Sequence, residues 1–197
     1  MINEEDHIRM QCILPGWQLQ QAWKTVDKMD DFIEESIEYS YDEQLGYLTS
    51  CPTNVGTGMR ASLMMHLPAL VYAGGINPML QTISKIGLTA RGLYGEGSEA
   101  FGNIYQISNQ VTLGPSEYKI INNIGIVAKQ IMEKEKAARK AFADNNRLEF
   151  EDNIWRSFGI LCYAKKIDIK EFMALISLSK PRQLPEAVLS LIPTVTF

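Results

Sequence analysis

The sequence is short of cysteine, histidine and positive charge, and each shortage excludes a class of protein. It has three cysteines, two histidines and a net charge of −4 in 197 residues. A general nucleic-acid-binding protein normally carries a basic surplus, so direct binding to nucleic acid is not expected. Two histidines and no CxxC pair argue against a zinc site built in this chain alone. The few, odd-numbered cysteines favour a reducing cytoplasm over a disulfide framework.

Long apolar runs and a phosphate-binding P-loop are also missing. No apolar run approaches the roughly 20 residues that span a bilayer, so no membrane association is expected. The polar, acidic start MINEEDHIRM does not have the character of a signal peptide. Without a GxxxxGK(S/T) sequence, a bound triphosphate would have to be held by side chains. The composition, 46% apolar and 21% charged, is typical of one folded domain.

Hydrophobic periodicity predicts an α+β fold with a largely antiparallel sheet flanked by helices. Alternating apolar residues predict strands at 8–14, 45–50, 59–67, 88–95 and 103–109. Helical spacing predicts helices at 19–37, 78–86, 116–143, 148–165 and 168–179, with Ser116 as an N-cap. We expect one domain to end near residue 179, and residues 180–197, which show no clear period, to form a divergent, weakly ordered tail.

Three arginines indicate a phosphate site. Arg9, Arg60 and Arg91 lie on polar faces or in loop mouths of separate predicted strands. A guanidinium donates two parallel hydrogen bonds to phosphate oxygens and keeps its charge. Carboxylates and Cys51 lie in neighbouring segments and would face the acceptor of the phosphoryl group. This pattern suggests an acceptor with a positively charged nitrogen.

Each feature also has an ordinary interpretation when it is taken alone. The acidic stretch NEEDHIR is compatible with a solvated strand entry, and Cys51 with a small buried side chain. The glycine-rich stretch RGLYGEGSE is compatible with an ordinary hairpin, and Arg60 with a surface ion pair. The functional interpretation depends on these features occurring together.

Three segments, NEEDHIR, CPTNVGTGMRAS and RGLYGEGSEAFGNIYQISN, resemble the catalytic segments of the ATP:guanidino phosphotransferases, the family of creatine and arginine kinases. The resemblance covers residues 2–179. The longer segments DEQLGYLTSCPTNVGTGMRASLMMHLPAL and GNIYQISNQVTLG are more similar to the bacterial protein-arginine kinase branch than to the metabolite kinases. Met64 and Tyr94, where metabolite kinases often have histidine and arginine, agree with this branch. The resemblance implies a phosphagen-kinase, glutamine-synthetase-like catalytic domain that is incomplete at its N-terminus. The phosphoarginine pocket that this branch carries near its C-terminus has no match.

The resemblance also implies roles for particular residues. The carboxylates that clamp the guanidinium fall on Glu5 and Glu96, and the reactive thiolate falls on Cys51. The phosphate-binding arginines fall on Arg9, Arg60 and Arg91. The nucleotide-binding segments fall on Arg60, Ala61, Ser62, Leu63 and Met64, and on Arg91, Gly92, Leu93, Tyr94, Gly95 and Glu96. Glu4 and Asp6 match residues that assist magnesium through water.

The activity implied by the resemblance is ATP- and Mg²⁺-dependent phosphorylation of arginine residues in proteins. The implied partners are protein substrates that include a heat-shock repressor, a zinc-binding activator protein and a Clp ATPase/protease that degrades the marked proteins. A homodimer is expected for the full-length enzyme, in the cytoplasm and in the stress response. The alternatives are a kinase for free arginine and a non-catalytic fragment that acts only as an interaction module.

Overall fold

The computed structural model describes residues 6–92, 100–145, 147–179 and 193–196. The strands are β1 (Gln11–Ile13), β2 (Tyr41–Asp42), β3 (Gly46–Tyr47), β4 (Arg60–His66), β5 (Leu88–Gly92), β6 (Ile104–Asn109) and β7 (Pro193–Thr196). The helices are α1 (Leu19–Glu34), α2 (Pro68–Tyr72), α3 (Ile76–Lys85), α4 (Glu117–Asn145), α5 (Arg147–Tyr163) and α6 (Ile169–Ser179). A 3₁₀ turn spans Phe101–Asn103 and leads into β6.

Five strands form one sheet in the order β1–β7–β4–β6–β5, and every neighbouring pair is antiparallel. The strands β2 and β3 form a separate two-stranded hairpin. The predicted α+β fold with a largely antiparallel sheet is therefore confirmed. Because β4 pairs with both β6 and β7, its residues determine what the middle of the sheet presents on each face.

Alternation along β4 gives the sheet one apolar and one polar face. Ala61, Leu63 and Met65 are fully buried. They pack in a single core with apolar residues of α1, α3 and α4. Because successive side chains of a strand point to opposite sides, Arg60 and Ser62 project from the other face. The core therefore lies on one side of the sheet, and Arg60 projects from the other side.

All five predicted helices are present, with ends within a few residues of the expected positions. Ser116 caps α4 as predicted, since its Oγ accepts a hydrogen bond from the Lys119 amide at 3.4 Å. The helix α2 was not predicted, because five residues are too few to show a helical period. None of the helices in the described part of the chain is both long and apolar enough to cross a membrane.

The last strand differs from the expectation for its segment. Residues 180–197 were expected to be a weakly ordered tail, but Pro193–Thr196 form β7 between β1 and β4. Residues 180–192 lie outside the described residues, so the domain boundary near residue 179 stays a prediction. The four residues of β7 have no period long enough to mark a strand, and their place depends on two partners elsewhere in the chain.

Candidate active site

The polar face of the sheet carries two of the predicted phosphate-binding arginines. Arg60 is the first residue of β4, and Arg91 lies on β5. Met64 pairs with Gln106 of β6, and Gln106 pairs with Arg91, so the three share a row across the sheet. Gln106 Nε2 donates a hydrogen bond to Ser62 Oγ at 2.9 Å on this face. Arg60, two residues before Ser62, therefore projects from the same face as Arg91.

The charges of Arg60 and Arg91 act on each other. Partial burial lowers the pKa of the Arg60 guanidinium, and the positive charge of Arg91 lowers it further. Within the part of the chain that the structure describes, no carboxylate forms an ion pair with either guanidinium. An anion bound beside both groups would relieve their repulsion, so the pair favours a phosphate ligand.

Two residues of the predicted nucleotide-binding segment contribute to the core. Ala61 and Leu63 are fully buried on the apolar face of the sheet. Their side chains are therefore not available to a nucleotide. Ser62 is on the polar face but is only 2% exposed. Among the side chains of β4, Arg60 is the charged group that remains exposed on the polar face.

Cys51 begins a tight loop between β3 and β4. The Asn54 amide donates to the Cys51 carbonyl at 2.9 Å, and the Cys51 sulfur lies 3.0 Å from Thr53 Oγ1. Asp6 anchors this loop, because its Oδ1 accepts a hydrogen bond from the Cys51 amide at 3.4 Å and its Oδ2 accepts one from Asn54 Nδ2 at 2.7 Å. The described end of the NEEDHIR segment is thus joined directly to the cysteine loop.

A cleft of about 940 Å³ brings four of the predicted site residues together. Its lining includes Asp6, Arg9, Cys51 and Arg60. Among the described residues, Arg91 does not line this cleft. Arg91 acts on the cleft through its electrostatic repulsion with Arg60. A phosphate held by the arginines and an acceptor held at the sulfur would therefore occupy one continuous space.

One wall of the cleft combines tyrosines with a carboxylate, and the sequence analysis missed it. Tyr47 OH donates a hydrogen bond to Asp30 Oδ2 at 2.9 Å, and the Tyr39 ring packs edge-on against Tyr47 with centroids 5.7 Å apart. Burial raises the pKa of Tyr39 to about 12, and the nearby Asp30 adds to this shift. Burial and the bond to Asp30 also raise the pKa of Tyr47. No local pattern marks the wall, because Asp30 and Tyr47 are 17 positions apart.

Of the remaining predicted site residues, Gly92 is the last residue of β5, and the others lie outside the described residues. They are Glu4, Glu5, Leu93, Tyr94, Gly95 and Glu96. The expected convergence of two carboxylates on the Cys51 sulfur therefore stays a prediction.

The described residues offer no preformed metal site. Within the ranges that the structure describes, no group of three or more His, Cys, Asp or Glu side chains could hold a metal ion. Asp6 uses both carboxylate oxygens to anchor the cysteine loop. A magnesium ion that enters with a nucleotide would take its ligands largely from phosphate oxygens and water, as this cation commonly does.

A comparison with protein families shows the family of this chain. A model of the ATP:guanido phosphotransferase C-terminal catalytic domain matches residues 1–138. The chain belongs to this family. The matched region contains the whole cleft and the six strands β1 to β6, whereas α5, α6 and β7 lie beyond it.

Curated relatives within the family are protein-arginine kinases. The protein-arginine kinase of Caldanaerobacter subterraneus subsp. tengcongensis is 59% identical over 177 residues, which are 90% of this chain and 52% of that protein. The protein-arginine kinase of Bacillus subtilis is 54% identical over 177 residues, which are 90% of this chain and 49% of that protein. The chain thus spans about half the length of the curated relatives it matches.

Solved phosphagen kinases share the fold. A crystal structure of lombricine kinase aligns with a TM-score of 0.52 at 27% identity and covers 62% of this chain and 33% of that one. The duplicated taurocyamine kinase from Schistosoma mansoni, with bound transition state analog components, aligns with a TM-score of 0.52 at 31% identity and covers 60% of this chain and 16% of that one. The predicted phosphagen-kinase fold class is therefore confirmed.

Proposed function

We propose that this chain is the catalytic part of a protein-arginine kinase, which transfers the γ-phosphoryl group of ATP to the guanidinium of arginine residues in proteins. The observation that carries the proposal is the single cleft that Arg9, Cys51 and Arg60 line together. Its support from relatives is the 59% identity to a protein-arginine kinase over 90% of the chain.

The arginines hold and neutralise the phosphates. Arg60 and Arg91 share the polar face and repel each other until an anion binds, and Arg9 lines the same cleft as Arg60. In phosphoryl transfer, most of the catalytic effect comes from alignment and from fixed charge around the moving group. A magnesium ion bound with the nucleotide supplies further positive charge at the phosphates.

The acceptor side removes a proton and orients the attacking nitrogen. A guanidinium has a pKa above about 12, so it is a poor nucleophile until a proton leaves. In the proposed step, Glu5 and Glu96 orient the guanidinium and take up that proton, and the Cys51 sulfur adds a third negative contact. The new bond joins nitrogen to phosphorus as the bond to the ADP oxygen breaks, so no phosphoenzyme is needed.

The biological setting follows from the same proposal. Proteins that carry accessible arginines, a heat-shock repressor among them, are the substrates. A zinc-binding activator protein and a Clp ATPase/protease are the partners, the setting is the cytoplasm, and the whole enzyme forms a homodimer. Among these points, the similarity to protein-arginine kinases supports the protein substrates alone.

The decisive experiment compares a protein acceptor with a free one. Because the chain spans about half of its relatives, it is fused behind the N-terminal half of the Bacillus subtilis relative and incubated with ATP, Mg²⁺ and either casein or free arginine. Phosphoarginine in casein, detected by mass spectrometry at neutral pH, is the expected result. Product on free arginine alone would replace the proposal with a metabolite kinase. Absence of both products and of ADP binding would favour an interaction module.

Two substitutions in the same fusion test the assigned roles. Glu96→Ala is expected to abolish transfer, because the acceptor loses a carboxylate that orients it and takes its proton. Cys51→Ser is expected to lower kcat about tenfold or more, the range for one hydrogen bond to a charged group. Either variant with a rate within about twofold of the parent would remove that residue from the mechanism.

A further inference from the structure

Thr112 lies behind the loop that carries Cys51. Its hydroxyl Oγ1 lies 2.9 Å from the Thr53 carbonyl oxygen and 2.8 Å from the Val55 carbonyl oxygen, and it donates to this pair. Its own carbonyl accepts a hydrogen bond from the Thr57 amide at 3.1 Å. Thr112 is 7% exposed, so water does not compete strongly for these bonds. Thr53 is the residue whose hydroxyl contacts the Cys51 sulfur, so Thr112 fixes the immediate neighbour of the thiol.

Asn109 holds the backbone around Arg60 through side-chain hydrogen bonds, as Thr112 holds the loop of Cys51. Its Oδ1 accepts a hydrogen bond from the Ala61 amide at 2.8 Å, and its Nδ2 donates to the Met59 carbonyl at 3.0 Å. The two bonds therefore hold the backbone on both sides of Arg60. Asn109 is 5% exposed, and Nδ2 also donates to the Val111 carbonyl at 3.2 Å, which turns the chain towards Thr112.

We propose that Asn109 and Thr112 form a clasp that sets the distance between the phosphate side and the acceptor side of the active site. The inference rests on the proposed function, and it assigns both residues as positioning residues. The clasp is defined as Asn109, the last residue of β6, and Thr112, three positions later, and neither residue lines the cleft. It acts through Arg60 and through the loop of Cys51.

The geometry gives the two residues separable effects. Thr112 holds residues 53–57, beside the sulfur, whereas Asn109 holds residues 59–61, around the arginine. Loss of the Thr112 hydroxyl displaces the acceptor side and leaves the phosphate side in place. Loss of the Asn109 amide displaces the phosphate side. A misplacement of about 1 Å in a positioned reactant can cost about 100-fold in rate.

The first test compares the effects of the two variants on kcat and on nucleotide binding. In the fusion, Thr112→Val is expected to lower kcat about tenfold or more while the dissociation constant of the 197-residue chain for ADP·Mg²⁺ changes less than twofold. Thr112→Ser, which restores the hydroxyl, is expected to recover the parental kcat within about twofold. Asn109→Leu is expected to weaken ADP binding about tenfold. These magnitudes correspond to hydrogen bonds that position charged groups.

The matched control is Thr82→Val. Thr82 also donates its hydroxyl to a backbone carbonyl, that of Pro78 at 2.8 Å, but it lies on α3 and does not line the cleft. Thr82→Val should change neither kcat nor the dissociation constant for ADP·Mg²⁺. Parental kcat in Thr112→Val, or equal losses of kcat and ADP affinity in both clasp variants, would overturn the proposal and leave a purely structural role.

A second measurement is independent of turnover. Amide hydrogen exchange of the unliganded chain should speed up about tenfold at residues 53–58 in Thr112→Val and at Ala61 in Asn109→Leu, with α4 unchanged in both. If Thr112→Val does not fold, Thr112→Ala removes the same hydroxyl without the added methyl group. Unchanged exchange in both regions would contradict the clasp. A parent fusion that makes no phosphoarginine would instead contradict the proposed function, and exchange and ADP binding would still decide the clasp.

Discussion

Two adjacent residues of β4, Arg60 and Ala61, have opposite environments. Ala61 is fully buried in the core, whereas Arg60 projects from the polar face and is exposed. The alternation of the strand produces this division, and the sequence shows it directly. What the alternation does not show is the second cation, Arg91, whose charge lowers the pKa of Arg60. We expect the preference of the site for an anion to arise from this pair.

Arg60→Gln tests the pair at the scale of one residue. The substitution removes a guanidinium that would contact phosphate, so the dissociation constant for ADP·Mg²⁺ should rise about tenfold or more. It also removes the repulsion with Arg91, so the thermal midpoint of the unliganded chain should stay the same or rise slightly. Calorimetric titration and thermal unfolding measure the two effects. Arg147→Gln, an exposed arginine paired with Glu151 on α5, is the control and should leave ADP affinity unchanged.

The loop between β3 and β4 is the element on which the site depends, and its path requires glycine. Gly56 has a φ of +110°, and a Cβ there would lie 2.3 Å from the Thr112 carbonyl oxygen. Its backbone also pairs with Tyr47, whose amide donates to the Gly56 carbonyl at 2.8 Å. The loop therefore packs between β3 and the chain that follows β6, and position 56 has no room for a side chain.

Gly56→Ala should destabilise the chain by about 3 kcal/mol, since it combines backbone strain with overpacking against a carbonyl. Gly58→Ala is the control. Gly58 has a φ of +61°, and its Cβ would meet only Tyr47 Cδ2 at 3.9 Å. Its expected cost is therefore about 1 kcal/mol, from the left-handed conformation alone. Urea unfolding of both variants measures the difference, and equal losses would mean that the loop can move away from Thr112.

The helices α2 and α4 are joined by a buried carboxylate. Glu135, which is 3% exposed, accepts hydrogen bonds from the Ala69 amide at 3.1 Å and the Leu70 amide at 2.9 Å at the start of α2. Arg139 Nε donates to the same carboxylate at 2.6 Å. The i,i+4 spacing of Glu135 and Arg139 is visible in the sequence. The role of the carboxylate as a cap for α2 is not, because α2 lies more than 60 positions earlier in the chain.

Glu135→Ala should lower the free energy of unfolding by about 3 kcal/mol, because the partly buried Arg139 guanidinium and two backbone amides lose their acceptor. The control is Glu133→Ala on the same helix. Glu133 pairs with Lys136 in a solvent-exposed bridge, so its loss should cost less than about 1 kcal/mol. Chemical denaturation compares the two. A difference of less than about 1 kcal/mol between the variants would show that the α2 cap contributes little.

At the scale of the whole molecule, the sheet joins distant parts of the chain. The strand β7, near the C-terminal end of the sequence, lies between β1 and β4 and pairs with both. It thereby connects the segment that leads from Arg9 into β1 with the strand that begins at Arg60. Without β7, the facing backbone groups of β1 and of residues 60–63 have no strand partner on that side.

A chain that ends at residue 192 should therefore have a lower thermal midpoint and should associate through its open strand edges. Removal of residue 197 alone is the control, since it leaves β7 complete. Thermal unfolding and size-exclusion chromatography measure stability and association. A monomer with an unchanged midpoint after loss of β7 would show that this strand does not support the sheet.

The sequence by itself determined the local features of this protein. Alternation and helical spacing predicted the α+β class and all five longer helices, and the quoted segments identified the family, because these signals are carried by neighbouring residues. The tertiary structure alone decided which distant residues meet: Asp6 with the loop of Cys51, Arg60 with Arg91, Thr112 with Thr53, and β7 with β1. These contacts join residues that are far apart in the chain, and periodicity assigns each residue to a face of its own strand or helix without showing which distant segment lies next to it.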